Sequence, residues 1–429
     1  MLFNILNRLN KIREFPYYFL SPLPYAIGNA GKQINIASGR AKELKKKLII
    51  LDFKFFSQIL KYKLSNPSLF NDLVINKFAQ KKIKIFKSFL LLFLEIEFLF
   101  RRSFVLINDI FFGFKIDEIY RFPNIGFPDI YETKNVNVRN IYFKKFGDFK
   151  ELNMNHNLVD LETKIKNECE EKLNDLNINK KDKIVCLHVR DGNYRNDHNR
   201  KSYRNSNVNN YIKAIQYLIN KGFWVIRIGD APTKKVKFKN NKFIDYPYSK
   251  IKSEQMDLFL IQRSSFYIGA QSGPMEVAYL FNKPVLLTNM VQALEGLPRK
   301  KNDRGIFKKI INKKTKKVIP IRKFMDFSFK YHDPVYTISD LEFIENSPNE
   351  IYLAVKEFLT NLNRKKKSTG TSLQIKFRQL QKKRFSNFFR ENNEDKKSLL
   401  NCVIPIERIR TFKSSKGLFC NSYLKKNFS

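Results

Sequence analysis

The sequence predicts an α/β fold built on a parallel sheet, and three observations predict it. Continuous apolar runs such as Ile184-Val185-Cys186-Leu187 read as strands buried on both faces. These runs alternate with stretches of helical period, the rhythm of βαβ units. Three of them stop abruptly in polar or Gly-containing turns: His188-Val189-Arg190-Asp191, Gly229-Asp230 and Gly269-Ala270-Gln271-Ser272-Gly273. In open sheets of this kind ligands sit outside the carboxyl ends of the strands.

The chain has 429 residues, enough for two core-forming units at about 100–200 residues each. Residues 1–165 read as a first α/β unit. Tyr17–Leu20 is a strand, followed by the small-residue turn Ala26-Ile27-Gly28-Asn29-Ala30-Gly31. A helical pattern comes next (Ile34, Ala37, Ala41, Leu44), then the strand Leu48–Leu51. Gly28 and Asn29 either form a plain tight turn or let backbone N–H groups approach a bound group. Residues 130–180 are rich in Asn and Lys, with a helix near Asp160–Leu176, and read as a connection.

The second unit, residues 181–360, has the clearest rhythm. The strand ending at Val189 leads through a polar loop to a helix carrying Tyr211, Ile215 and Leu218, stopped by Gly222. Strands follow at Phe223–Ile228, Phe243–Tyr246, Ser265–Ile268 and Pro284–Asn289, with helices around Met256–Leu260 and Met275–Phe281. Residues 361–429 are a basic extension with helical patterning through Phe377–Phe389. Apolar character returns over Ile404–Phe428, so part of this tail is expected to pack; the alternative is a wholly disordered basic tail.

Composition bounds the rest. A hydrophobic fraction of 43%, with 41 Phe and 19 Tyr, excludes global disorder. Lys and Arg total 81 against 40 acidic residues, a formal charge of +41. That charge fits an anionic partner, or a residue usage that makes every surface basic. It is spread along the chain with no nucleic-acid-binding motif, so no specific nucleic acid is expected. Cys169, Cys186, Cys402 and Cys420 form no CxxC pair, which suits a reducing compartment and argues against a disulfide framework or a zinc site. The first residues lack the apolar core of a secretory signal, and a cytoplasmic location is expected.

The segment Lys84–Phe114 is strongly apolar but interrupted by Lys87, Glu95, Glu97, Arg101 and Arg102. A spanning helix needs about 20 mostly apolar residues, so no crossing is expected. The segment reads as core helices of the first unit. The other reading is an in-plane membrane helix with basic flanks, giving peripheral association.

The strand ends carry the chemistry. His188 and Arg190 alternate with Val189 and share a face. Arg190 can grip two phosphate oxygens through parallel N–H bonds. His188 can donate a hydrogen bond or carry a proton near neutral pH. Gln271, Ser272 and Gly273 open a helix, where an anion is stabilised. Asp230 offers a carboxylate to a ribose hydroxyl or base edge, or serves as a turn residue. Asp191, Tyr194 and Glu276 complete the set, the two carboxylates as candidate bases.

The run Cys186-Leu187-His188-Val189-Arg190-Asp191, with Tyr194 after it, resembles the signature of a family of uncharacterised bacterial glycosyltransferases. So do Tyr211…Gly222…Trp224–Asp230 and Asp257–Ile261…Gly269…Ser272-Gly273. More remotely the pattern is similar to fucosyltransferase-like GT-B enzymes. The resemblance covers about 183–290 well and 20–55 weakly. It implies a GT-B-like fold: two Rossmann-like domains facing a cleft, with a C-terminal helical extension packed partly back on the N-terminal, acceptor-side domain. It implies that His188 and Arg190 hold the diphosphate of a nucleotide sugar and that Gly28-Asn29 faces the cleft. It further implies metal-independent, cofactor-free transfer of a hexosyl or fucosyl unit, with inversion, to a cell-surface glycan or lipid-linked acceptor. Where the fucosyltransferase pattern has a second Arg after HxR, this chain has Asp191, which leaves the donor open. The alternatives are a non-catalytic nucleotide-sugar or glycan-binding protein on the same fold, or a basic nucleic-acid-binding protein.

Overall fold

The computed structural model describes residues 2–22, 26–52, 65–112, 125–126, 157–192, 202–231, 233–291, 297–324, 340–363, 370–394 and 415–428. The first stretch runs α1 (Leu2–Leu9), β1 (Tyr17–Leu20), α2 (Ile27–Glu43) and β2 (Lys47–Ile50). β1 and β2 pair in parallel, Tyr17 opposite Lys47 through Leu20 opposite Ile50. This is the expected strand–helix–strand unit. The helix starts earlier than the periodicity suggested, with Ala30 N–H donating to the Ala26 carbonyl at 3.0 Å. Gly28 and Asn29 therefore lie in its first turn and not in a turn before it.

β3 (Leu73–Ile75) and β4 (Phe78–Ala79) precede the 28-residue helix α3 (Lys84–Phe111). β5 (Val159–Leu161) completes a small antiparallel sheet of order β4-β3-β5, and α4 (Thr163–Asn174) follows. Alternation along β1 and β2 separates two packings. Tyr18, Leu20, Leu48 and Ile50 join the main core, while Phe19, Ile49 and Leu51 pack with Phe3, Leu6, Leu94 and Phe98 of α1 and α3.

α3 departs from the core-helix expectation. Its inward stripe is Lys87, Leu94, Phe98, Val105 and Asn108, and most of its large apolar side chains face out. The reason is polar chemistry underneath. Lys87 Nζ meets Asp52 Oδ1 at 2.6 Å, both side chains being almost wholly buried. Glu97 accepts from Arg101 at 2.6 Å and from the Phe3 N–H at 3.2 Å.

The second stretch builds the dominant sheet. Its elements are β6 (Lys183–His188), α5 (Ile212–Asn220), β7 (Phe223–Ile228), β8 (Phe243–Asp245), α6 (Glu254–Arg263) and β9 (Phe266–Gly269). Then come α7 (Gly273–Leu280), β10 (Val285–Met290) and β11 (Arg304–Phe307). Gly222, at φ +84°, lets the chain turn sharply from α5 into β7. The antiparallel trio β12 (Lys309–Asn312), β13 (Val318–Ile319) and β14 (Leu341–Ile344) follows, ordered β13-β12-β14. The chain then runs through α8 (Pro348–Asn363), α9 (Ser372–Glu394), β15 (Leu418–Phe419) and α10 (Asn421–Asn427).

The seven-stranded order is β15-β11-β10-β9-β6-β7-β8, every pair parallel. Helices flank it, an architecture compatible with a Rossmann-like fold. One buried cluster contains residues of both stretches, from Tyr18 and Ile34 to Val277 and Leu424. The described part of the C-terminal extension joins the large sheet; residues 395–414 of that extension lie outside the described residues. β15 pairs with β11, Phe419 stacks on Phe307 at 4.9 Å, and the Glu357 carboxylate of α8 accepts the Asn421 and Ser422 N–H groups at the start of α10.

Candidate functional site

The winding of the sheet selects the site. From β6 the chain moves outward to β7 and β8, then returns to the other side of β6 for β9, β10 and β11. The reversal falls between β6 and β9, and the carboxyl ends of such a pair form the crevice where doubly wound sheets bind ligands. His188 closes β6 in register with Gly269, the last residue of β9. Ser272 lies just before α7, and its Oγ is 3.1 Å from His188 Nδ1 and 3.3 Å from the Ala270 carbonyl. Arg190 follows two residues beyond β6, partly buried, its carbonyl accepting the Ser206 N–H at 2.8 Å. The structure thus brings His188, Arg190, Ser272 and Gly273 to one place.

Burial, reinforced by the Arg190 guanidinium, pushes the His188 imidazole down to about 4. Near pH 7 it is neutral and serves there as a hydrogen-bonding group. Behind it stands Tyr267, which sequence reasoning missed. A Cβ on Gly269 would lie 2.5 Å from the Tyr267 hydroxyl, so the glycine makes room for that ring. Burial raises the Tyr267 phenol well above its ordinary range, against the pull of the Ser272 hydroxyl.

Two further cations border the strand ends. Arg204 Nη2 donates to the Gln271 carbonyl. Lys308, just past β11, donates to the Asn205 carbonyl at 2.5 Å, and burial lowers its ammonium to about 8. Arg204 was hidden among other basic residues of a polar loop. Lys308 follows a strand too polar at its start to be recognised.

The remaining candidates have other partners. Asp191 accepts from the Thr233 hydroxyl and, at 3.0 Å, from the Lys234 N–H, tying down the chain beyond β7. Glu276 meets the buried Arg299 guanidinium at 2.5 Å. Asp230 pairs with Lys252 at 2.9 Å, and Lys252 also meets Asp257. The Gln271 side chain accepts from the Val291 N–H at 2.8 Å, fixing the end of β10. Gly28 is buried against Gly273, where a Cβ would fall 2.7 Å from the Gly273 Cα, whereas Asn29 is exposed. Tyr194 lies outside the described residues. Among the described residues no group of three or more His, Cys, Asp or Glu side chains can hold a metal ion.

No family model matches the chain, and neither a curated protein nor a solved structure matches it. The Arg190 guanidinium, a neutral imidazole in contact with Ser272 and the Gly273 N–H lie at one strand end; Pro274 has no N–H, and the Met275 N–H is taken by the Ser272 carbonyl at 3.1 Å. Such a set can bind a multiply charged phosphate group.

Proposed function

We propose that the chain is a glycosyltransferase that holds a nucleoside-diphosphate sugar at the β6–β9 reversal. The observation that carries this reading is the Ser272–His188 contact at 3.1 Å, beside Arg190 and the start of α7. The neutral imidazole carries one proton; the tautomer with that proton on Nε2 offers it to a phosphate oxygen, and it requires the Ser272 hydroxyl to turn from the Ala270 carbonyl and donate to Nδ1. Arg190 balances the charge that builds on the diphosphate as the bond from the anomeric carbon to phosphate oxygen breaks. The acceptor hydroxyl oxygen forms the new bond from the opposite face, with inversion. Its proton passes to water or to the departing phosphate, because Asp191 and Glu276 are already engaged. The acceptor is a glycan or lipid-linked hydroxyl, and the overall arrangement is GT-B-like, with the first stretch on the acceptor side.

A second reading, a nucleotide-sugar-binding protein without turnover, is favoured by that same engagement of both carboxylates. Thermal shift against GDP, UDP, CMP and dTDP tests the shared premise, and stabilisation by one nucleotide is expected. Release of that nucleotide from its sugar conjugate separates transfer from binding. Arg190→Ala should lower transfer by at least about a hundredfold, the scale of losing one preorganised donor, with little change in melting temperature. No response to any nucleotide would sink both readings.

A further inference from the structure

We propose that the outward face of α3 docks on an anionic lipid bilayer, lying in its plane. A helix on a water-soluble surface normally turns its apolar stripe inward. α3 does the reverse. Its buried stripe includes Lys87 and Asn108, while Phe86, Phe89, Phe93, Phe100, Phe104 and Phe111 are all more than half exposed. Among the described side chains between Ile85 and Phe111, the exposed ones carry no charge, and the polar ones among them are Ser88 and Ser103.

Such a patch far exceeds the scattered apolar residues of an ordinary surface. Among the described residues no helix is long and apolar enough to cross a membrane. A long amphipathic helix of this kind, pinned from beneath by the Lys87–Asp52 pair, fits burial at the depth of the headgroup–acyl boundary.

Charge names the occupant. α1 lies alongside α3, with the Arg101 guanidinium 4.8 Å from the Phe3 ring centroid. At the other end Tyr17 stacks on Phe86 at 6.4 Å. Leu9, Phe15 and Tyr17 pack in the same cluster as Ile83 and Leu90. This brings the exposed Arg8, Lys11 and Arg13 to the end of α3 that starts with the exposed Lys82 and Lys84. A basic border beside an apolar face complements acidic headgroups. A second copy would bring the same basic border against itself, in a chain of formal charge +41. Docking does not rest on the proposed sugar transfer, although it would place a lipid-linked acceptor beside the molecule.

The test is co-sedimentation of the full chain with phosphatidylglycerol-containing vesicles and with pure phosphatidylcholine vesicles. The wild type should pellet with the former, less so at high salt. Phe93→Glu/Phe100→Glu should weaken this by at least about tenfold, with unchanged melting temperature and unchanged response to nucleotides. Lys82→Glu/Lys84→Glu should remove much of the preference for acidic vesicles. The proposal is overturned if the wild type ignores acidic vesicles or if the double Phe variant binds them as well as wild type. It is equally overturned if light scattering finds a dimer that the double Phe variant dissolves and vesicles do not. Loss of the nucleotide response with vesicle binding intact would sink the transferase reading alone.

Discussion

Glu276 reaches Arg299 at 2.5 Å, and the guanidinium is 1% exposed and also lies 4.3 Å from the Tyr279 ring centroid. Removing one member of such a pair strands the other in a medium that solvates it poorly. Glu276→Gln should therefore cost about 3–5 kcal/mol in urea denaturation. A general base would behave oppositely, losing turnover while stability held. His188 makes a different prediction at the same scale. Its imidazole gains a proton near 6.5 in the unfolded chain but only near 4 when folded. Below 6.5 the unfolded state binds more protons, so this residue's contribution is complete above 6.5 and is lost as pH falls toward 4. Comparing wild type with His188→Gln across that window should show the wild type losing stability faster on acidification. Equal slopes would remove His188 from the account of acid sensitivity.

At the scale of elements, the contact between α2 and α7 turns on two glycines. Gly28 adopts ordinary helical geometry within α2, so Ala there would normally stabilise the helix by about 1 kcal/mol. Its Cβ, however, would fall 2.7 Å from the Gly273 Cα, a backbone atom that cannot swing away. Gly28→Ala should therefore cost about 1–3 kcal/mol by overpacking, seen as a lower melting temperature. An unchanged or raised value would mean that the helices part freely. The strands β6, β7, β9 and β10 were legible in the sequence because both their faces are buried and their apolar runs are continuous. α3 was legible as a helix but not in its orientation. Periodicity shows which residues share a face, whereas the face that turns inward is set by distant partners such as the buried Asp52 that receives Lys87. His188, Arg190 and Ser272 were legible because they end strands. The engagement of Asp191 and Glu276 was not, since Thr233 and Arg299 lie far from them in the chain.

At the scale of the whole molecule, the seven-stranded sheet is closed by the far end of the chain. Phe419 of β15 stacks on Phe307 at 4.9 Å and meets Phe377 of α9 edge-on at 4.6 Å. Phe419→Ala should destabilise the fold by about 3–5 kcal/mol, measured by chemical denaturation. A near-neutral result would show that the tail is an appendage. This closure escaped the sequence because β15 is two residues long, too short for any periodicity. The outward aromatic row of α3 has a practical corollary for handling the protein. In dilute solution it will behave like a surfactant, adsorbing to vessel walls and to the air–liquid boundary. Recovery will fall as containers become smaller, and a mild nonionic detergent will restore it.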